Sequence, residues 1–349
     1  MTANLYFRVI LMTGASLTAG ALFLQAAVLP LLFKYSKGVQ RKIVFSNCIN
    51  YPKHLDFKHP LSCNVLGCRH FNIEFYSRVD HCDIKLGVWH IAPYSLIQDL
   101  VLECDELRVD ERYMDGLKKR GSTVILYCHG NSNHRASPHR LQMYKVLQEQ
   151  NYHVITFDYR GYGDSTDIRP TERGVVEDVL QVYSWLVGAF DHDQKPLVVL
   201  WGHSLGTAIA ANLVSNMSDL CQQRRLPTLP PPDALVLEAF NNLADEIESH
   251  PLSKLVPWLP YYKSHFVKPF TVSSEYTFAT DRYLSSVPRL PVLMMHSRRD
   301  RIVPFHLAIK LYNSIIASRA SDGATLELHV FDRGHNDLCA APAMPRVVA

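Results

Sequence analysis

The sequence predicts an α/β protein with a mostly parallel sheet and helices on both faces of that sheet. From Ser122 onward, short apolar runs alternate with helical patterns, which is typical of strand–helix–strand units. The apolar runs are nearly continuous, as expected for parallel strands that are buried on both faces. A Gly-x-Ser-x-Gly motif at 202–206 joins one such run to a helical pattern. The 349 residues are 47% hydrophobic and 20% charged, which suits a globular protein with a sizeable core.

The individual elements follow from these patterns. A helix begins at Thr171, because apolar residues recur on one face from Val175 to Leu186. A second helix follows the motif at 207–214. Strands are predicted at residues 83–91, 123–128, 152–157, 196–200, 234–238, 290–296 and 325–331.

Residues 1–34 are predicted to form a transmembrane anchor. Residues 9–33 contain no charged side chain, and Arg8 and Lys34 bound this stretch. A run of this length can cross a bilayer as one helix. A cleaved signal peptide is the alternative, because residues 24–27 (LQAA) resemble a cleavage site, although the apolar part of a signal peptide is shorter.

Charge and cysteine spacing argue against two classes of function. The net charge of +3 is too small to indicate nucleic-acid binding, and the aromatic residues are not interleaved with basic runs. The eight cysteines include no C-x-x-C pair, so we expect no metal and no cofactor. Cys63 and Cys68 can form a local disulfide in an oxidising compartment or remain free thiols. Cys128 lies in a predicted core strand and is expected to be free.

The Gly-x-Ser-x-Gly motif predicts a nucleophile, Ser204, on a sharp turn between a strand and a helix. Such a turn is strained, and the two glycines let the strand and the helix approach each other. An oxyanion that develops next to the serine needs two backbone N–H donors. We predict that Leu205, directly after the serine, supplies one donor. Asn131, in the loop after the strand at 123–128, supplies the other.

Two further residues stand where the partners of a nucleophilic serine are expected. A serine hydroxyl becomes reactive when a base takes its proton and an acid orients that base. Asp300 and His335 each follow a predicted strand. The order serine, acid, histidine, each at the carboxyl end of a strand, is typical of the α/β-hydrolase fold. We therefore predict a catalytic triad of Ser204, Asp300 and His335, with Glu238, which also ends a strand, as the alternative acid.

Five segments form a specific set: residues 129–131 (HGN), 157–165 (FDYRGYGDS), 201–207 (WGHSLGT), 232–239 (PDALVLEA) and 303–305 (VPF). Together they resemble the membrane-anchored lysophosphatidylserine lipase and monoacylglycerol lipase family (α/β-hydrolase-domain protein twelve and its paralogue). The resemblance implies a serine hydrolase of lysophospholipids and monoacylglycerols with Ser204, Asp300 and His335 as its triad. It also implies an endoplasmic-reticulum membrane protein with a lumenal catalytic domain.

The charges next to the apolar stretch favour the opposite orientation. Four basic residues follow the stretch and only Arg8 precedes it, so the positive-inside rule places the catalytic part in the cytosol. The orientation therefore stays open, whereas a lipid ester substrate and the membrane are the expected partners. The four basic residues are Lys34, Lys37, Arg41 and Lys42.

These assignments divide the chain into three predicted regions. Residues 1–34 are the anchor, residues 35–120 are a membrane-proximal region with the first strands, and residues 121–349 are the catalytic domain. A small cap is predicted at about 241–288, after the strand that ends in Glu238. Its aromatic residues can either line a wall for an acyl chain or cover the core. These residues are Trp258, Tyr261, Tyr262, Phe266 and Phe270.

Residues 129–131, which contain the predicted donor Asn131, are called the oxyanion loop. The charged residues that follow it can contact an anionic head group or be solvated; they are His134, Arg135, His139 and Arg140. After His335 the chain departs from the family pattern, because prolines at 342 and 345 leave little room for a terminal helix. This departure predicts weak packing around His335.

The leading function is lipid-ester hydrolysis through an acyl-serine intermediate. The alternatives are an acyl-protein thioesterase and a weakly active, hydrolase-fold interaction protein.

Overall fold

The computed structural model describes residues 2–103, 105–190, 195–240, 242–249, 261–273, 275–319 and 323–349. Within these ranges the strands are β1 (Cys68–Tyr76), β2 (Asp83–Ile91), β3 (Thr123–Cys128), β4 (His153–Phe157), β5 (Leu197–His203), β6 (Ala234–Glu238), β7 (Val292–Ser297) and β8 (Leu326–Phe331). They form one sheet in the order β1-β2-β4-β3-β5-β6-β7-β8. Pairing is antiparallel between β1 and β2 and between β2 and β4, and parallel elsewhere. The predicted mostly parallel sheet is confirmed.

Helices cover both faces of the sheet. Along β3, Val124 and Leu126 pack into one core layer, and Ile125 and Tyr127 pack into the layer on the opposite face. This alternation explains why the strand is apolar at every one of these positions. The helices are α1 (Thr2–Phe23), α2 (Leu29–Tyr35), α3 (Lys37–Phe45), α4 (Tyr94–Leu102), α5 (Glu106–Lys118), α6 (Pro138–Glu149), α7 (Glu172–Gly188), α8 (Leu205–Arg224), α9 (Leu243–Ser249), α10 (Lys268–Thr271), α11 (Thr280–Ser285), α12 (Phe305–Ser318) and α13 (Met344–Val348).

The helix predicted to begin at Thr171 is α7, and its start has a local cause. The hydroxyl of Thr171 accepts a hydrogen bond from the backbone N–H of Gly174 at 3.1 Å, which caps the first turn. The apolar face from Val175 to Leu186 is fully buried against the sheet. This packing orients the helix on the face that also carries α8.

The first 120 residues differ from the sequence-based expectation in two ways. β1 was not predicted, and it pairs with β2 along its whole length as an edge strand. Residues 105–120 contain α5, a helix that was not predicted and that buries Tyr113 and Leu117. β1 and β2 belong to the same sheet as the later strands. The predicted start of the catalytic domain at residue 121 therefore falls within the strands of one sheet.

The N-terminal apolar stretch is helical throughout. α1 continues through a π-helical turn, Leu24–Val28, into α2. A stretch of 24 residues, Met12–Tyr35, is long and apolar enough to cross a membrane, by length and composition. Its last two turns touch the protein, because Pro30 and Phe33 of α2 are buried.

The predicted cap region carries aromatic side chains that cover the core. Phe266 and Phe270 are fully buried in the same layer as α7 and α8. Tyr261 and Tyr262 are partly exposed and pack against this layer. Trp258 lies outside the described residues. Of the two interpretations, these four aromatic residues therefore fit the core-covering one.

The segment after the last strand packs better than its prolines suggested. α13 is a short helix, and Met344 at its start is fully buried. Leu338 is also fully buried and lies in one cluster with α6 residues. The hydroxyl of Tyr152 donates a hydrogen bond to the carbonyl of Val348 at 2.9 Å. The expectation of weak packing in this segment is therefore wrong.

Candidate active site

Ser204 occupies a strained turn between β5 and α8. Its φ of 52° and ψ of −119° lie in a region that a residue with a side chain rarely adopts. A Cβ on Gly202 would lie 2.4 Å from the carbonyl oxygen of Gly206, and a Cβ on Gly206 would lie 2.1 Å from that of Cys128. Both glycines are thus required by the close approach of the turn to its own helix and to β3.

Three side chains from three loops meet at this turn. Nε2 of His335 lies 3.1 Å from Oγ of Ser204. Nδ1 of the same histidine lies 2.7 Å from Oδ2 of Asp300. Ser204 is partly exposed, whereas Asp300 and His335 are buried. The structure thus brings the three residues of the predicted triad into one continuous chain of contacts.

The carboxylate of Asp300 is fixed by its own loop. Its Oδ1 accepts hydrogen bonds from the backbone N–H groups of Ile302 and Val303, both at 2.8 Å. Burial opposes ionisation of Asp300, but the bonds from His335 and from the backbone outweigh burial, and they hold the pKa below its usual value. Asp300 is therefore ionised at neutral pH and can orient an imidazole N–H.

Glu238 does not take this place. It ends β6, and its Oε2 accepts a hydrogen bond from the indole N–H of Trp201 at 2.9 Å. Complete burial raises the pKa of Glu238 to about 7, despite the opposing effects of Trp201 and His335. Asp300 is the acid that accepts the hydrogen bond from Nδ1 of His335, so the geometry favours Asp300 over Glu238.

The oxyanion loop passes directly beside the nucleophile. A Cβ on Gly130 would lie 3.1 Å from Cβ of Ser204, so the absence of a side chain lets the loop come this close. Asn131 and Leu205, the two predicted backbone donors, line the same pocket as Ser204. The hydroxyl of Tyr162 contacts the carbonyl of Asn131 at 2.9 Å and thereby holds the loop in place.

His129 has a structural position beneath the oxyanion loop. Its ring is fully buried, and Nδ1 lies 2.7 Å from the carbonyl oxygen of Gly130. The hydroxyl of Tyr159 donates to the carbonyl of His129 at 3.1 Å. Burial holds the pKa of His129 well below its usual value, so the ring is neutral beneath the loop.

Two histidine rings lie near that of His335; His203 was not singled out from the sequence, and His139 was suggested only as a head-group contact or a solvated residue. The ring of His203 lies 5.4 Å from that of His335, and the ring of His139 lies 5.5 Å from that of His203. Burial lowers the pKa of both rings, which keeps them neutral and adds no positive charge next to His335. The only sequence signal for His203 was its place directly before the nucleophile.

Arg135 and Arg140, which follow the oxyanion loop, do not face a substrate. Arg135 is fully buried and pairs with Asp158 and with Asp164, the latter at 2.6 Å. Arg140 is buried as well and donates to the carbonyls of His134 and Ser132 at 2.6 and 2.7 Å. The proposed contact of these arginines with a head group is wrong, and so is the solvated alternative, because both guanidinium groups stabilise the loop from inside.

A pocket of about 230 Å³ opens over Ser204. Its walls come from five segments: the end of α3, the oxyanion loop, the turn at Ser204 and Leu205, α9 and the loop that carries Asp300. Within the described ranges, no group of three or more histidine, cysteine or acidic side chains is arranged to hold a metal ion. The pocket is lined by Ile43, Val44, Ser46, Asn131, Ser204, Leu205, Leu243, Glu246, Ile247, Arg301 and Ile302.

The sheet order, the strained serine and the serine–histidine–aspartate contacts define an enzyme of the α/β-hydrolase class. A family profile described as alpha/beta hydrolase fold matches residues 123–226. The chain belongs to the family of lysophosphatidylserine lipase ABHD12. It is 36% identical over 325 residues to the mouse (Mus musculus) protein of that name, covering 92% of this chain and 75% of the mouse protein.

Other relatives and solved structures agree with this family and fold. The ABHD12 lipase of Xenopus tropicalis is 38% identical over 296 residues, covering 84% of this chain and 69% of the relative. Protein ABHD12B of Homo sapiens is 32% identical over 308 residues, covering 86% of this chain and 77% of the human protein. A solved structure of an esterase from Pyrococcus furiosus superposes with a TM-score of 0.54 at 19% identity, covering 86% of this chain and 97% of that chain. At that identity the esterase supports the fold alone.

Proposed function

We propose that this chain is a membrane-anchored serine hydrolase that cleaves carboxylic esters of lysophospholipids and monoacylglycerols. The observation that carries the proposal is the chain of contacts from Ser204 through His335 to Asp300, which opens into a pocket with apolar residues of α3 and α9 in its walls. The names of the relatives, lysophosphatidylserine lipases, support a lysophospholipid as the substrate.

The first half of the reaction forms an acyl-enzyme. His335 takes the proton of the Ser204 hydroxyl at Nε2, and Oγ attacks the ester carbonyl carbon. Asp300 accepts the Nδ1–H bond and stabilises the imidazolium that forms. The same proton then passes from Nε2 to the oxygen of the leaving alcohol, the ester C–O bond breaks, and the acyl group stays on Ser204.

The second half returns the enzyme to its starting state. A water molecule gives a proton to Nε2 of His335 and attacks the acyl carbon. The proton moves back to Oγ of Ser204 as the bond between serine and acyl carbon breaks, and a fatty acid leaves. In both halves the charge on the carbonyl oxygen is met by the backbone N–H groups of Leu205 and Asn131, at the positive end of α8.

A lipid panel on the full-length protein in membranes tests the proposal. The panel contains lysophosphatidylserine, lysophosphatidylcholine, a monoacylglycerol and an S-acyl peptide. We expect turnover of the oxygen esters and labelling by a fluorophosphonate probe, and we expect Ser204→Ala to lose both while its unfolding temperature is kept.

Each other outcome selects an alternative. Faster turnover of the S-acyl peptide than of any lipid identifies a thioesterase. A folded protein with neither labelling nor turnover is an interaction protein. Undiminished turnover in Ser204→Ala overturns the assignment of the nucleophile.

We also propose that the N-terminal stretch remains as a single-pass anchor in the endoplasmic reticulum membrane, with a lumenal catalytic domain. The helical stretch Met12–Tyr35 has 24 residues and so covers about 36 Å, enough to cross the roughly 30 Å of a hydrocarbon core. The hydroxyl of Tyr261 donates to the carbonyl of Ala26, so cleavage near residues 24–27 would remove a contact of the cap. The compartment and the orientation rest on the family alone.

A further inference from the structure

Helix α3 connects the apolar N-terminal helix to the pocket over Ser204. It begins two residues after α2 ends, and Ser36 between them caps α3 by accepting from the N–H of Val39 at 3.3 Å. At its other end, Ile43 and Val44 line the pocket. One wall of the pocket is therefore built by a segment that directly follows the candidate membrane span.

The junction between the apolar helix and α3 is fixed to the cap by packing and hydrogen bonds. The ring of Phe33 in α2 lies 4.7 Å from that of Phe266. The amide of Gln40 in α3 donates to the carbonyl of Phe33 at 2.5 Å, and its oxygen accepts from the hydroxyl of Tyr276 at 2.5 Å. Gln40 and Phe33 are buried, so these contacts hold α3 at one angle to the apolar helix.

A salt bridge on the partly exposed side of α3 adds to this attachment. Arg41 lies 2.6 Å from Glu275, with both side chains about one-fifth exposed. The hydrogen bonds from Arg41 and from Lys37 outweigh the effect of burial and lower the pKa of Glu275, so the pair is charged at neutral pH. α3 is thus attached, through Gln40 and Arg41, to Tyr276 and Glu275, which lie between α10 and α11 in the cap region.

The far end of α3 is in contact with the oxyanion loop. The hydroxyl of Tyr162 contacts the carbonyl oxygen of Phe45, the last residue of α3, as well as that of Asn131. One tyrosine therefore joins the end of α3 to a predicted oxyanion donor. The position of α3 and the geometry beside Ser204 are set together.

The pocket walls are apolar where α3 faces the cap. Ile43 and Val44 of α3 stand with Leu243 and Ile247 of α9. Ile43 is half-buried, and the other three are buried. Removing an acyl chain from water against such a surface strengthens binding by about fourfold per methylene group.

The pocket is too small for a whole lipid. Its volume of about 230 Å³ is below the roughly 300–1,000 Å³ of pockets that bury a drug-sized ligand. The nine residues of α3 cover about 14 Å along the helix axis, so the pocket lies only about that far from the end of the apolar helix. The part of a long lipid that the pocket cannot hold therefore has an apolar surface within reach.

We propose that α3 and α9 clamp the acyl chain of the substrate, and that its distal part runs along α3 and stays in the bilayer during hydrolysis. This inference rests on the proposed function, because it places the substrate of that reaction. It makes the anchor a part of the substrate site rather than a removable tether. Ile43 is then a specificity-determining residue for chain length.

The first test fills the pocket wall with Ile43→Trp and uses Lys42→Trp as its control, since Lys42 is exposed on the same helix. We compare kcat/KM for a long-chain and a butyryl monoacylglycerol. The ratio of long-chain to butyryl kcat/KM should fall at least tenfold in Ile43→Trp and stay within twofold in Lys42→Trp. An unchanged ratio in Ile43→Trp overturns the proposal.

A smaller change keeps the test decisive where tryptophan disrupts folding. Ile43→Ala removes apolar contact, and the same ratio should fall roughly fourfold for each methylene contact that is lost. Ser204→Ala separates the two proposals. If Ser204→Ala keeps full turnover, the proposed function fails. If it is inactive while Ile43→Ala and Ile43→Trp leave the ratio unchanged, only the acyl clamp fails.

The second test concerns entry from the bilayer. The full-length protein is reconstituted in phosphatidylcholine vesicles, and a long-chain monoacylglycerol is placed either in the same vesicles or in separate ones. We expect at least tenfold faster hydrolysis when enzyme and substrate share a bilayer. A water-soluble butyryl ester should be hydrolysed equally in both arrangements. Equal rates for the long-chain substrate in both arrangements overturn the access route.

Discussion

Nδ1 of His335 and Oδ2 of Asp300 lie 2.7 Å apart, although 35 residues separate them in the chain. β7 and β8 are neighbouring parallel strands, so the loops that follow them meet at the same edge of the sheet. The second oxygen of Asp300 is held by two backbone N–H groups. This arrangement gives the carboxylate one orientation and leaves His335 to face Ser204.

The identity of the acid is the first prediction. Asp300→Asn keeps the shape but removes the charge that orients His335, so kcat should fall by about four orders of magnitude. Glu238→Gln keeps the acceptor for Trp201 and should change kcat by less than tenfold. Both variants are compared by lipid hydrolysis and by the rate of fluorophosphonate labelling. A severe loss in Glu238→Gln together with a mild one in Asp300→Asn would assign the acid to Glu238.

The central sheet and the candidate site were predictable because their signals are local. A strand followed by Gly-x-Ser-x-Gly identifies Ser204, and Asp300 and His335 each stand directly after an apolar strand. The close approach of Gly206 to Cys128 was implied by the motif, since a turn this tight tolerates no side chain there. Parallel strand order then brings the ends of these strands together without further information from the sequence.

The elements that were missed depend on contacts distant in sequence. β1 is an edge strand with half-exposed polar residues, so its pattern does not stand out from a loop. Arg135 looks solvated until Asp158 and Asp164, more than twenty residues later, supply its partners. The role of α3 in the pocket follows from its packing on the cap and the oxyanion loop, which no local pattern encodes.

The second prediction concerns the glycine beside β3. Gly206→Ala would place a Cβ 2.1 Å from a backbone carbonyl, so α8 must move away from the strand. We expect a loss of roughly 1–3 kcal/mol or more in the free energy of unfolding. Because α8 begins at Leu205, the predicted oxyanion donor, hydrolysis should fall at least a hundredfold. Gly188→Ala is the control, since a Cβ there meets no atom within 4 Å, and it should leave both thermal unfolding and hydrolysis near wild type.

The third prediction separates structure from head-group recognition at Arg135. Arg135→Met leaves Asp158 buried without its charged partner, which should destabilise the fold by about 3–5 kcal/mol. Among molecules that remain folded, the ratio of lysophosphatidylserine to monoacylglycerol hydrolysis should not change. Lys145→Met, at an exposed position on α6, should alter neither property. A selective loss of lysophosphatidylserine hydrolysis in Arg135→Met would show that this arginine meets the head group.

The fourth prediction is a pH dependence of stability from Glu238. Burial raises its pKa in the folded protein from 4.5 to about 7, so the folded state binds this proton more tightly than the unfolded state. The contribution to stability is complete below pH 4.5 and is lost as the pH rises through 7, a change of about 3 kcal/mol. The glutamine side chain of the Glu238→Gln variant does not titrate, so it adds no such pH dependence. The difference in unfolding free energy between Glu238→Gln and wild type should therefore grow in favour of the variant between pH 4.5 and 7, as measured by denaturant titration. A difference that stays constant over this range contradicts the assignment.

The fifth prediction concerns the anchor and its orientation. The contacts of Ala26 with Tyr261 and of Phe33 with Phe266 tie the apolar stretch to the folded part, so we expect it to be retained in the mature protein. Protease added to sealed microsomes should leave a lumenal domain intact until detergent opens the membrane. The basic residues after α2 favour the cytosol, but the positive-inside rule is a tendency and folded domains can translocate despite it. Digestion without detergent would therefore establish a cytosolic domain, in which the free thiols Cys63 and Cys68 stay reduced. Release of a shortened, soluble product would instead show a cleaved signal peptide, and the placement of the substrate along α3 toward the bilayer would lose its support.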